Sequence, residues 1–342
     1  MLKKIVNEAY FTLRITTTGP LLVKSGQATV SGPDMTPVLT FRNSKQEVFI
    51  PGSSLKGVFR SHIEKVICSL RSHVACYPFT SSEDTAADIE LRYRDYRKSC
   101  STMFTERSKD NQRNDSTETV YRDSCPVCRL FGSTGFIGRV AIGDAFLVAG
   151  QVKEDDPDQR GIKEQRDGVG IDRLTGGASH GAKFELEVVS TGVAFETDIH
   201  LRNFEMWQLG MLFVVLQDME DELIRIGSGR SRGLGKIKAE LSGEFKGIAT
   251  YSIRHGESSN DEPADELWGL GRWLDDGSYG TQKNDLVKLS PPVAKSDRGI
   301  RKTRIFTGEN LDNLRDAAIQ QFIDRINGWE QVIPVATPTR RR

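Results

Sequence analysis

Four glycines and five basic side chains crowd the stretch Arg225-Ile-Gly-Ser-Gly-Arg-Ser-Arg-Gly-Leu-Gly-Lys-Ile-Lys238, which holds no acidic residue. Glycines at 227, 229, 233 and 235 permit positive φ and remove the side chains that would keep a phosphate from main-chain N–H groups. Arg230 and Arg232 add forked donors that match phosphate oxygens, and Ser231 adds a hydroxyl. The pattern is not a P-loop, because no Gly-Lys-Ser/Thr opens a helix. It is either a cradle for a phosphate backbone or a solvated basic turn.

The cysteines offer a second chemistry. There are five, and Cys125-Pro-Val-Cys128 has the spacing that places two thiolates on one Zn2+. Cys76 and Cys100 are the first choices to complete the set, with Cys68 or His73 as substitutes. Such a zinc would be structural; the alternative is a group of reduced, free thiols. A third candidate is the helix start Pro51-Gly-Ser-Ser54, whose hydroxyls and N–H groups suit an anion. Ser53, Ser54, Lys56 and Arg60 would serve it, unless this is an ordinary capped helix with solvated basic residues. Asp34 follows Gly32-Pro33, a common place for a turn aspartate.

Elements must hold these groups in place. Residues 10–17 alternate and are rich in β-branched and aromatic types, which predicts a strand. Residues 21–47 read as a loop, and Ser54 as the N-cap of a helix with Leu55, Val58, Phe59, His62, Ile63 and Val66 at helical spacing. His62 falls on the apolar face, which argues against a histidine cluster for general acid–base chemistry on this helix. Residues 69–124 are polar and without apolar periodicity, and 110–117 are expected to be mobile. Residues 138–148 read as one strand and 151–168 as a charged loop. Residues 182–189 and 194–201 alternate and are expected to pair as an extended hairpin. A buried helix over 204–216 and a strand over 236–241 follow, and 311–329 shows helical spacing. The terminal Arg340-Arg-Arg342 is given no role.

Composition sets the outer bounds. The 342 residues suit one large domain with insertions, at 37% apolar content and mean hydropathy −0.42. Lys+Arg and Asp+Glu both number 47, so net charge does not point to nucleic acid and local clustering must. No apolar run reaches membrane-spanning length, and Lys3-Lys4 precede no signal core, so a cytoplasmic protein is expected.

Several motifs together resemble a known family. Ile50-Pro-Gly-Ser-Ser-Leu-Lys-Gly-Val-Phe-Arg60, Cys125-Pro-Val-Cys-Arg-Leu-Phe-Gly132, Ile171-Asp-Arg-Leu-Thr-Gly-Gly-Ala178 and the 225–235 glycine loop occur in the order found in the RAMP superfamily of CRISPR proteins. The chain is most similar to the backbone subunits of type III effector complexes, from about residue 10 to 241. The resemblance implies an α+β, elaborated ferredoxin-like (RNA-recognition-motif-like) fold over 1–242. It also implies an extended thumb hairpin at 165–200; the zinc-pinned polar insertion at 69–133 and the partly helical extension at 243–342 are read from the residues themselves, and the extension is not covered by the resemblance.

It also implies guide RNA bound along its phosphates by Ser53, Ser54, Lys56, Arg60, Arg173, Gly227, Gly229, Arg230, Ser231 and Arg232. Complementary target RNA would be cut at Asp34 with Mg2+ or another divalent ion, in company with other RAMP subunits and a large subunit. Two weaker expectations are the same scaffold without cleavage and a stand-alone zinc-stabilised RNA-binding module.

Overall fold

The computed structural model describes residues 4–330 except 27–32, 43, 82, 112–114, 153–155, 157–158, 243–244, 252–261 and 300. Arg340–Arg342, and Ser31 and Gly32 ahead of Asp34, lie outside the described residues. In chain order the elements begin with strands β1 Asn7–Thr17, β2 Leu39–Arg42 and β3 Lys45–Ile50, then helix α1 Gly52–Leu70. Helices α2 Ala86–Arg92, α3 Cys100–Asn111, α4 Thr117–Asp123 and α5 Pro126–Phe131 follow. Next come β4 Gly132–Ser133, β5 Phe136–Ile137, β6 Val140–Ile142, β7 Ala145–Leu147, β8 Lys163–Ile171, β9 Ala178–Val189 and β10 Ala194–Arg202. Helix α6 Met206–Glu220 leads to β11 Ile237–Leu241 and β12 Phe245–Tyr251. The last part holds β13 Glu266–Trp268, α7 Leu270–Leu274, β14 Leu286–Lys288, β15 Ser296–Arg298, β16 Arg301–Phe306 and α8 Gly308–Asn327.

Alternation builds the centre. In β1, Ala9, Phe11, Leu13 and Ile15 are buried, while Tyr10 and Arg14 face out, as the period of two requires. β1 pairs antiparallel with β10 on one side and with β11 and β12 on the other. The full sheet runs β15-β16-β12-β1-β10-β7-β3-β2, with β11 also on β1 and β6 also on β10. Helices α1 and α6 pack on its buried face. The order β11-β1-β10-β6, with α1 after β1 and α6 after β10, is consistent with the expected ferredoxin-like core.

Helix α1 buries Leu55, Phe59, Ile63 and Ile67, a stripe at intervals of four. Its start corrects the expected N-cap serine. Pro51 is the N-cap, and the Gly52 N–H donates to Asp144 Oδ1 at 2.7 Å. A Cβ on Gly52 would stand 2.4 Å from the Ile142 carbonyl oxygen, so only glycine lets the helix end lie against that strand. His62 is only partly covered and meets Asp218 Oδ2 of α6 at 2.5 Å.

Three further expectations change. The strand over 138–148 is two, β6 and β7, split at Gly143, whose N–H donates to Asp198 O. β9 does not pair with β10. It pairs antiparallel with β8, which begins inside the stretch expected to be loop, while β10 lies in the main sheet. The hairpin therefore spans 163–189, not 165–200. About half of the described part of 69–124 is helical, with α3 reaching Asn111 and α4 starting at Thr117; residues 112–114 of the stretch expected to be mobile lie outside the described residues. Local caps do this where apolar periodicity is absent. Thr85 and Asp88 form a reciprocal capping box, and Ser116 accepts the Thr119 N–H at 3.1 Å. A buried polar knot docks the insertion: the Tyr121 hydroxyl donates to Glu205 Oε1 at 3.1 Å, and Gln208 Nε2 donates to that hydroxyl at 3.0 Å. The Arg129 guanidinium lies 4.5 Å from the Trp329 ring centre.

The part after residue 242 shares this core. Helix α8 confirms the helical spacing over 311–329: of Leu314, Ala317, Ala318, Phe322 and Ile326, all but the half-buried Ala317 are buried, and the helix packs along α6. That second cover explains why α6 is apolar all round. The helices touch at Gly210, where an added Cβ would stand 2.0 Å from the Ala318 carbonyl oxygen. Gly210→Ala is therefore expected to force the helices apart and cost about 1–3 kcal/mol; a denaturant midpoint unchanged from wild type would sink this account. No helix among the described residues is long and apolar enough to cross a membrane.

Candidate nucleic-acid interface and cysteine centre

The glycine loop is a closed ear. Ile226 N–H donates to Gly235 O at 2.9 Å, Gly235 N–H to Pro20 O at 2.7 Å, and Ser228 N–H to Leu22 O at 2.7 Å. Gly227 and Gly235 have φ of +76° and +83°, and a Cβ on either would stand 2.4 or 2.0 Å from a carbonyl oxygen. Both glycines are thus required by the backbone itself, before any ligand is considered. With the Ser228 and Gly235 amides bonded inward, the loop offers its side chains. Arg230, Ser231 and Arg232 form a short 3-10 turn between left-handed Gly229 and Gly233, and all three are exposed. Buried Leu234 anchors the turn from beneath.

Two other segments meet the loop at one small core. Leu22, Leu186, Val188 and Leu234 are buried together, with Met35 and Phe184 packed against them. Leu186, Val188 and Phe184 belong to the base of the β8–β9 hairpin, Leu22 to the segment after β1, and Met35 to the Asp34 loop. Asp34 itself is exposed, and its Oδ2 accepts the Glu185 N–H at 2.8 Å. Met35 continues the pairing: its O accepts the Glu187 N–H at 2.9 Å. The Arg232 guanidinium lies 5.3 Å from the Phe184 ring centre, which ties the glycine loop to the same hairpin. Asp34, Arg230, Ser231 and Arg232 thus sit around one hairpin base.

The hairpin tip is bare and exposes two apolar side chains. Leu174 is 97% exposed and Ile171 58%. Asp172 shapes the turn, accepting the Leu174 and Thr175 N–H groups at 3.0 and 2.8 Å and the Thr175 hydroxyl at 3.0 Å, and the two Thr175 bonds above all hold its carboxyl below the usual range. Arg173 and His180 are exposed there.

The α1 residues divide. Ser53 and Ser54 are exposed in the first turn. Lys56 is half-buried and donates to Val140 O at 3.1 Å; burial, then the Arg60 charge, lowers its pKa. Arg60 is placed elsewhere than expected. Its guanidinium reaches Glu64 Oε1 at 2.9 Å, Gly132 O at 3.2 Å and Cys128 Sγ at 3.4 Å, so it faces the cysteines instead of an outer phosphate.

Cys76, Cys100, Cys125 and Cys128 are all buried, and their sulfurs lie within 4.8 Å of one another. Cys76 Sγ stands 3.5 Å from Cys128 Sγ and 3.6 Å from Cys125 Sγ. A tetrahedron with Zn–S of about 2.3 Å has edges of about 3.8 Å, so the spacing suits zinc and is far too long for a disulfide. Cys68 and His73 are not part of the group: each bonds a backbone carbonyl, of Asp95 and of Tyr96. Charge supports the fit. Arg97 Nη2 donates to Cys100 Sγ at 3.1 Å, the Cys125 N–H to Cys100 Sγ at 3.2 Å, and the Cys128 N–H to Cys125 Sγ at 3.3 Å. Bonds with Cys125, Cys128 and Cys76, with the Arg97 charge added, pull the Cys100 thiol well below its ordinary pKa, while bonds with Cys100 push the Cys76 and Cys128 thiols well up. Two guanidiniums, Arg60 and Arg97, would thus stand against the two net negative charges of a four-thiolate zinc site. Neither role was foreseen; the only local hint is Arg97 three residues ahead of Cys100.

Residues 14–238 match the family model described as the RAMP superfamily, a span holding Asp34, the four cysteines, the hairpin and the glycine loop. No curated protein matches the chain.

Proposed function

The chain belongs to the RAMP superfamily of CRISPR-associated proteins, which implies a role in binding CRISPR RNA within an effector complex, and from that premise we propose that it is a ferredoxin-like backbone subunit of a type III complex that grips guide RNA and cuts complementary target RNA at Asp34. The convergence of three separate segments on the hairpin base carries this reading. Arg230, Ser231 and Arg232 present donors to phosphates without reading bases, which suits a protein that must accept any guide. Ser53, Ser54, Lys56 and Arg173 extend that track, and the bare Leu174 tip is fitted to part stacked bases. Asp34 Oδ1 has no protein partner among the described residues. There it can hold a hydrated divalent ion or take the proton of a 2′-hydroxyl as that oxygen attacks the neighbouring phosphorus and the 5′-oxygen leaves. The cysteine centre keeps α5 and the 132–138 loop against α1, a structural role.

The test is the assembled complex. Isolated through this chain, it should carry a guide RNA and cut end-labelled complementary RNA in Mg2+ at regular intervals. The double variant Arg230→Ala with Arg232→Ala should weaken RNA binding for every sequence alike and reduce the salt slope by about 0.7 for each phosphate no longer neutralised. A complex without bound guide would overturn the reading; a guide-loaded complex that leaves the target intact would reduce the chain to a scaffold.

A further inference from the structure

The face of the sheet opposite the helices is open, and its centre has an unassigned chemistry. The β1–β10 register pairs Glu8 with Arg202, Tyr10 with His200, Thr12 with Asp198 and Arg14 with Glu196, all on that face. Tyr10 is 42% exposed. Its ring meets His200 edge to face, 5.9 Å between centroids at 71°, which leaves Tyr10 at least one ring face that His200 does not cover. Beside this pair lies a cavity of about 370 Å³, lined by His200 and Arg202 on one side and by Ser53 and Lys56 of α1 on the other. His200 and Arg202 share one carboxylate, Glu8, at 3.0 and 3.2 Å. Lys56 uses one donor on Val140 O. The cavity wall therefore keeps an excess of donors and positive charge. The helix end adds little, because Asp144 already holds the Gly52 N–H.

We propose that this face carries the RNA contact of Ser53 and Lys56 onward across the sheet, holding one nucleotide of single-stranded RNA with its base stacked on Tyr10 and its phosphate in the cavity between Lys56, Ser53 and Arg202. The inference rests on the reading of the chain as an RNA-binding subunit. An aromatic ring on a central strand of an open antiparallel sheet stacks a base whatever its identity. Lys, Arg and a serine hydroxyl are the donors that phosphate oxygens accept. The neighbouring pairs set the direction of the strand. Asp198 and Glu196 flank Tyr10 on the side away from Arg202, so the phosphate falls at the Arg202 end.

The experiment is equilibrium binding of a labelled oligouridylate about ten nucleotides long to the full chain. Tyr10→Ala should lose about 5- to 150-fold in affinity, the range of one base–aromatic stack, while Tyr10→Phe stays within about twofold. Arg202→Ala should weaken binding and lower the salt slope by about 0.7. With 4-thiouridine in the oligonucleotide, irradiation of the wild type should crosslink the peptide that contains Tyr10, which tests the site even if a variant folds poorly. Equal losses for Tyr10→Phe and Tyr10→Ala would overturn the stack and assign the effect to the Tyr10 hydroxyl. No loss in Tyr10→Ala, or no crosslink at that peptide, would overturn the site. If the Arg230/Arg232 double variant still loses affinity in that case, the RNA-binding reading survives and this site alone fails.

Discussion

Removing zinc from the chain with a strong chelator, or replacing Cys128 with Ser, is expected to undo the packing of residues 69–133 and destabilise the whole chain by at least about 4 kcal/mol, since structural zinc sites bind with apparent free energies of about 10–16 kcal/mol. Three physical reasons point to so large an effect. The sulfurs are buried and close, and without a cation their thiolates cannot share that space, so protons must return. Arg60 and Arg97 would then keep a buried charge beside neutral thiols, the costly half of a broken pair. Helix α3 also carries little apolar surface of its own: Cys100, Met103 and Phe104 are its only hydrophobic residues, so the centre supplies much of its anchorage. Metal analysis should find one zinc per chain, and the melting temperature should fall by more than about 8 °C on chelation, from about 2–4 °C per kcal/mol in domains of this size. A chain that binds no zinc and melts unchanged in chelator would refute the centre.

Asp34→Ala is expected to lower target cleavage at least about 100-fold, the lower end of what a positioned acid–base group supplies, while leaving guide binding intact. The side chain is exposed, so no core is disturbed. It is not idle in the fold, however. Loss of the bond from the Glu185 N–H should cost about 0.5–1.5 kcal/mol, and the loop could shift with it. Asp34→Asn separates the two effects. The amide oxygen can still accept the Glu185 N–H, but the charge is gone. If Asp34→Asn cuts no better than Asp34→Ala, the carboxylate acts in the chemistry. If it cuts like wild type, Asp34 only tethers the loop to the hairpin, and catalysis belongs to another subunit.

The two predictions draw on different kinds of legibility. Cys125 and Cys128 announce themselves by spacing, and so do the α1 stripe of Leu55, Phe59 and Ile63, the alternation of β1, and the glycines of the 225–238 loop. Each depends on a period of two or 3.6 residues, or on a φ that only glycine adopts cheaply, and such properties are written locally along the chain. The helices of the insertion escaped because polar caps and a buried polar knot hold them, and neither leaves an apolar period.

Tertiary structure alone decided the rest. It turned Arg60 from a solvated helix face onto the Cys128 sulfur, paired β9 with β8 instead of β10, and brought Asp34 to the Glu185 backbone 151 residues away. It also set Tyr10 beside His200 in the sheet. Those outcomes turn on strand register, helix docking and on which loop crosses which, and a one-residue slip of a strand would carry its side chains to the opposite face. Residue types and spacing therefore determined the repertoire of this chain, its thiolates, its phosphate donors and its carboxylate. The long-range packing determined which of them meet.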